Sequence, residues 1–85
     1  MLLKLHYFAQ LREAIGVNQE QIDCPAEVKT VGQLRVWMSQ RDAPYLDAFS
    51  HNQHIRCAVN RTVADDAQML SAGCEIAFFP PVTGG

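Results

Sequence analysis

No stretch of this 85-residue chain approaches the about 20 consecutive apolar residues that a membrane-spanning helix needs. There is no basic run either. The formal net charge is −2, which argues against nucleic acid as the main partner. The opening Met1-Leu2-Leu3-Lys4-Leu5-His6-Tyr7 is too short and too polar for a signal peptide. It reads as a first strand, and the expected compartment is the cytoplasm. Cys-x-x-Cys is missing. Cys24, Cys57 and Cys74 form an odd, scattered set that suits no disulfide framework. They read as reduced thiols acting as small hydrophobes. His51-x-x-His54 offers two metal ligands, but no paired cysteine or acidic cluster stands near to complete a zinc site. Two loop histidines facing water is the better reading, and no metal is expected.

The chain does have a hydrophobic fraction of 48%, enough for one small folded domain and too much for a disordered one. Leu3, Leu5 and Tyr7 alternate with Leu2, Lys4, His6 and Phe8, the period of a strand with one apolar face. Gln10 to Ile15 gives a short helix that Gly16 is placed to end in a left-handed conformation. A second strand, weakly signalled, falls on Gln21-Ile22-Asp23-Cys24, and Pro25 ends it. Thr30-Val31-Gly32-Gln33 reads as a capping box opening a helix to about Arg41, with Val31, Leu34, Trp37 and Met38 facing the core and Trp37 as an anchor there. A short helical piece follows Asp42-Ala43-Pro44 through Tyr45, Leu46 and Phe49, then a polar loop at Ser50-His51-Asn52-Gln53. Ile55, Cys57 and Val59 mark a third strand, Asn60-Arg61-Thr62 a turn, Val63 a short strand, and Glu75 to Phe79 the last strand.

Strand, strand, helix, strand, short strand, strand is the order of a β-grasp roll, as in ubiquitin: an α+β fold in which one helix covers one face of a mixed sheet. In that fold the first and last strands run parallel, side by side, at the centre. Leu3, Leu5, Tyr7, Ile76 and Phe78 then point at the helix, and Phe8 and Phe79 point away. With Val63 these two aromatics make an exposed apolar patch, the usual mark of a protein contact. The alternative is that the 42–54 segment covers one of them.

The chain ends Phe78-Phe79-Pro80-Pro81-Val82-Thr83-Gly84-Gly85. A terminal Gly-Gly packs nothing and loses the most freedom on ordering, so its use is access: a chain without Cβ atoms threads a narrow tunnel. A frayed tail is the plainer alternative, but the stiff stem argues against it. Pro80-Pro81 fixes two φ angles and lowers the entropy lost on insertion. Val82 and Thr83 suit extended contacts with a groove. From Pro81 to Gly85 the extended reach is on the order of 16 Å, enough to enter a neighbouring active site. The organisation expected is therefore a β-grasp domain over 1–80 and a flexible, reactive tail over 81–85.

Three segments carry a family resemblance: Tyr7-Phe8-Ala9-Gln10-Leu11-Arg12-Glu13, Ala58-Val59-Asn60-Arg61-Thr62, and the terminal Phe-Phe-Pro-Pro-Val-Thr-Gly-Gly. They resemble the small subunits of molybdopterin synthase, ubiquitin-like sulfur carriers of molybdenum cofactor biosynthesis, over nearly the whole chain. Gly73-Cys74-Glu75 departs from the Gly-Asp-Glu common in that family, putting a thiol in place of an acidic residue.

The resemblance implies a two-stage cycle. A ubiquitin-activating-like adenylyltransferase consumes ATP to join AMP to the Gly85 carboxylate, and persulfide sulfur then replaces AMP as a thiocarboxylate. The carrier docks on the synthase large subunit, in a heterotetramer, and donates sulfur to cyclic pyranopterin monophosphate. The implied partner-binding residues are Phe8, Arg12, Val63, Phe79, Pro80, Pro81, Val82 and Thr83. Arg12 is a candidate for an ion pair with the activating enzyme. The carrier binds no cofactor and supplies no general acid or base, so the catalytic groups belong to its partners. Alternatives with the same fold and end are a sulfur carrier for thiamine thiazole synthesis, a protein modifier forming isopeptide bonds with lysines, and an inert interaction module.

Overall fold

The alternation of the first residues is realised as β1, Leu2–Tyr7, with Leu3, Leu5 and Tyr7 buried and Leu2 and Lys4 exposed. The computed structural model describes residues 1–50 and 55–80. The remaining elements are α1 (Ala9–Ile15), β2 (Gln19–Asp23), α2 (Val31–Ser39), α3 (Tyr45–Ser50), β3 (Arg56–Val59), β4 (Thr62–Ala64) and β5 (Glu75–Phe79). The strands form one mixed sheet in the order β2-β1-β5-β3-β4. At its centre β1 and β5 run parallel, with Leu5 opposite Ile76 and Tyr7 opposite Phe78. β2, β3 and β4 add antiparallel. This is the β-grasp arrangement expected from the element order.

The core lies between the sheet and the helices. Leu3, Leu5, Tyr7, Ile76 and Phe78 meet Leu11 and Ile15 of α1, Val31, Leu34 and Met38 of α2, and Phe49 of α3. Phe78 is the hub: Phe49 meets it edge-on at 5.0 Å between ring centroids, and Tyr7 stacks at 6.4 Å. α3 thus packs on the inner face, and its residues leave Phe8 on the other side uncovered. Local signals act where expected. The Thr30 Oγ1 accepts from the Gln33 N–H at 3.2 Å while the Gln33 Oε1 accepts from the Thr30 N–H at 3.1 Å, a cap contributing about 1 kcal/mol. Gly16 ends α1 at φ 95, its N–H bonded to the Arg12 carbonyl at 2.8 Å.

Three expectations need correction. The second strand is Gln19–Asp23, not 21–24. It is an edge strand without apolar alternation, because its inward Glu20 is held by hydroxyls: Tyr7 donates to the carboxylate at 3.0 Å and Tyr45 at 2.5 Å. The second helix stops at Ser39, with Gln40 as its cap, not at Arg41. Arg41 instead leaves the helical path to lie over the Tyr45 ring at 3.8 Å and reach Glu20 at 3.6 Å. Trp37 is half-buried at the core's margin, with Arg41 5.3 Å over its ring, rather than an anchor inside.

Candidate functional site

The sheet face away from the helices is set by strand parity. Phe8 follows the inward Tyr7 in extended conformation, φ −126 and ψ 153, so its side chain turns outward. Its N–H donates to the Phe78 carbonyl at 3.2 Å, which seats it beside Phe79 on the neighbouring strand. Ala9 then stands at φ 53, in the left-handed region that favours glycine and costs an L-residue about 1–2 kcal/mol. That turn ends β1 abruptly and leaves Phe8 at its rim, 49% exposed. One step back along the strands, His6, Ala77, Ala58 and Val63 lie in register across β1, β5, β3 and β4. Val63 is 66% exposed.

Phe8 and Phe79 are therefore neighbours. Val63 shares their face two strands from β5, with only alanines between. The two alanines make a low floor, and beside it a shallow cleft of about 240 Å³ is lined by His6, Phe8, Arg61, Glu75 and Ala77. Arg61 reaches this cleft from a tight turn in which Asn60 and Arg61 both take positive φ, 49 and 72, the backbone of a two-residue hairpin. The alternation put His6 with Phe8 and Ala77 with Phe79, but His6, Ala58, Ala77 and Arg61 were not named as site residues. Parity was the available signal for the first three, whereas Arg61 stands in a turn. The His6 Nε2 is shielded and lacks a hydrogen-bond partner among the described residues.

The last strand leaves the centre of the sheet at Phe79, and the half-buried Pro80 follows. Pro81, Val82, Thr83, Gly84 and Gly85 lie outside the described residues, as do His51 and His54. Arg12 is exposed on α1, one turn past Phe8, and its side chain has no partner among the described residues. The described helices include none long and apolar enough to cross a membrane.

A family model, described as the ThiS family, matches residues 5–85. The chain belongs to the ThiS family. It is 36% identical over 84 residues to the molybdopterin synthase sulfur carrier subunit of Escherichia coli (strain K12), covering 99% of this chain and 100% of that protein. It is 34% identical over 84 residues to the subunit of the same name from Haemophilus influenzae, again covering 99% and 100%. The crystal structure of SAMP1 from Haloferax volcanii matches with a TM-score of 0.76 at 28% identity, covering 100% of both chains. The resemblance carried by the start, the third strand and the Gly-Gly end is thus that of the chain's relatives over their full length.

In this member of the ThiS family the three thiols are all free and buried. Cys57 is the deepest on β3, and burial pushes its thiol up to about 11. Cys24 is raised too, chiefly by burial, with its Sγ 3.5 Å from the Met1 carbonyl oxygen. Neutral, shielded thiols are poor nucleophiles. Cys74 precedes β5, at the end of that strand opposite the tail. If sulfur is accepted at Gly85, as the resemblance implies, the variant with all three cysteines replaced by alanine or serine is expected to accept it to the same extent as the parent. Intact mass after incubation with the activating system checks this. Loss of thiocarboxylate in a folded variant that is still adenylated would show that a cysteine relays sulfur. The sign of the pH effect follows from Cys57: its neutral burial favours the fold below the ordinary thiol value and that contribution is lost as pH rises through about 11.

Proposed function

We propose that this chain is the sulfur carrier of a molybdopterin synthase, with residues 1–80 as the docking domain and residues 81–85 as its reactive tail. The observation that carries the reading is the pair of an exposed Phe8 and a half-buried Phe79 where the central strand runs into Pro80, with Gly84-Gly85 following in the sequence. Full-length likeness to molybdopterin synthase sulfur carrier subunits supports it.

The chemistry follows from the terminal group. A chain-end carboxylate, with an ordinary pKa of about 3.5, is ionised at neutral pH and resists nucleophiles. Attack of the Gly85 carboxylate on the α-phosphorus of ATP expels pyrophosphate and gives an acyl adenylate. A persulfide sulfur adds to the acyl carbon and AMP leaves. A second thiol opens the resulting S–S bond and releases the thiocarboxylate. The adenylating enzyme and the synthase large subunit supply the acids, bases and nucleotide site. The carrier supplies the acyl group and the surface that places it. Two transfers to cyclic pyranopterin monophosphate complete the dithiolene of molybdopterin.

Intact mass of the protein from its native host tests the reading. A gain of about 16 Da at Gly85 marks oxygen replaced by sulfur. A second reading, a protein modifier, is favoured by the likeness at 28% identity to SAMP1 of Haloferax volcanii, whose name stands for small archaeal modifier protein 1. It predicts a ladder of covalent conjugates in place of the sulfur-bearing monomer. A thiamine thiazole carrier would show the same mass gain, but its sulfur would not pass to the pterin precursor.

Arg12 bears on the adenylation step. With no side-chain partner among the described residues and one turn past Phe8, it is placed to pair with a carboxylate of the activating enzyme. Arg12→Glu is expected to slow adenylation through weaker binding, by up to about fivefold, since a rim ion pair contributes about 0.2–1 kcal/mol. The loss should be greater at low ionic strength. Equal rates at low salt would return Arg12 to the role of a solvated side chain.

A further inference from the structure

We infer that the open sheet face is a cationic surface selecting a protein partner whose apolar centre is ringed by carboxylates, with Lys4, Arg56 and Arg61 as the selecting residues. The inference rests on the docking-face reading above and adds the partner's chemistry.

The chain holds seven lysines and arginines against nine aspartates and glutamates, yet they are not evenly spread. Arg35 is tied inside, to Asp66 at 2.9 Å and to the Ile55 carbonyl. Arg41 is tied to Glu20 and to two rings. Lys29 lies just before α2, in the helical layer. Of the other four, Lys4, Arg56 and Arg61 are exposed on the open face, and Arg12 is exposed on α1 next to Glu13. Lys4 and Arg56 have outward parity on β1 and β3, and Arg56 is the cross-strand neighbour of Phe79. Arg61 lines the cleft with Phe8. None of the four is ion-paired among the described residues.

Only two acids share that face. Glu75 is the cross-strand neighbour of Lys4 and shares the cleft with Arg61, so it is outnumbered. Asp23, at the edge on β2, is engaged by the Met1 amine at 2.9 Å. The remaining seven acids lie elsewhere. A protein with net charge −2 therefore keeps one face net positive, around Phe8, Phe79 and Val63.

This pattern chooses among occupants. A second copy docked face to face would set like charges against each other. A phosphate backbone would meet Phe8, Val63 and the alanine floor where it needs polar contacts. A protein surface with an apolar centre and an acidic rim satisfies both parts. Such complementarity acts mainly through the association rate and the rejection of wrong partners.

The test is the association rate of the molybdopterin synthase large subunit with Arg56→Glu, Arg61→Glu and Lys29→Glu proteins. All three make the same change in net charge, and all three positions are exposed, so the fold is checked by an unchanged thermal melt. At about 50 mM salt, each of the first two should slow association by about three- to tenfold, and Lys29→Glu by less than about twofold. At about 0.5 M salt, where the screening length is near 4 Å, the differences should fall within about twofold. Equal slowing by Lys29→Glu, or parental rates for both face variants at low salt, overturns the inference. Phe79→Ala in the same series separates the two levels. If it binds as the parent does, the docking face itself is misplaced. If it alone weakens binding, only the cationic ring falls.

Discussion

A protein lacking Gly85, or carrying one residue after it, is expected to accept no sulfur at all while folding as the parent does. The reason is positional. In the proposed cycle the electrophile made by adenylation is the carbonyl carbon of the last residue, so its location is fixed by chain length. Deletion moves it back by about 3.5 Å, the span of one extended residue. Near-attack geometry tolerates far less than that, and misplacement by about 1 Å can already cost about a hundredfold. Deletion also makes Gly84 the terminus and moves Thr83 to the next position, where a branched side chain must pass wherever two glycines passed before. Extension leaves Gly85 as an ordinary peptide carbonyl with no carboxylate to activate. Neither change touches the sheet, because β5 ends at Phe79. The measurement is intact mass after incubation with the activating enzyme, ATP and a persulfide donor, with circular dichroism as the fold check. Full thiocarboxylate formation in an extended protein shown to be unprocessed would remove Gly85 from the mechanism.

The fold was legible where period and sidedness coincide. β1 and β5 alternate cleanly, so the inward set of Leu3, Leu5, Tyr7, Ile76 and Phe78 and the outward Phe8 and Phe79 could be read directly. The Thr30–Gln33 box could be read because its two hydrogen bonds depend on residues only three apart. β2 was misplaced for the opposite reason. One of its two inward positions is a glutamate whose burial makes sense only once Tyr7, Tyr45 and Arg41 converge on it from 13, 25 and 21 residues away, and no local window contains that information. Arg41 was taken into the helix because its ring partners, Trp37 and Tyr45, are each four residues away, as helical neighbours would be; only its contact with Glu20 is long-range.

The site divides along a similar line. The aromatic pair followed from parity. The alanine floor and the Arg61 cleft needed the register of β3 against β5 and the left-handed turn at Asn60-Arg61, which sequence located as a turn but did not orient. The proposed reactive terminus rests on chemistry alone, since two glycines at a chain end have little use in packing, and residues 81–85 lie outside the described residues.

Adjacent phenylalanines on β5 should respond in opposite ways to the same truncation. Phe78 is fully buried between Tyr7 and Phe49, so Phe78→Ala removes a core ring and leaves a cavity. The expected loss is about 3–5 kcal/mol of folding stability. In a small domain with about 5–15 kcal/mol in total, that lowers the unfolding midpoint markedly. Phe79 points to the open face and is half-buried beside Phe8, opposite Arg56. Its truncation should cost the free protein about 1 kcal/mol, for the apolar area it already covers. The larger effect belongs to the complex: about 2 kcal/mol or more, a loss of affinity above tenfold, because an aromatic seated at the centre of an interface is desolvated completely on docking. Urea unfolding measures the first quantity and calorimetric titration with the large subunit the second. Phe78→Ala, where still folded at low temperature, should bind within a few fold of the parent once its folded fraction is counted. If Phe79→Ala binds as the parent does, the partner approaches elsewhere, and Phe8 and Val63 lose their assignment with it. If instead Phe79→Ala unfolds as readily as Phe78→Ala, the two residues share one core and the sheet has no separate docking face.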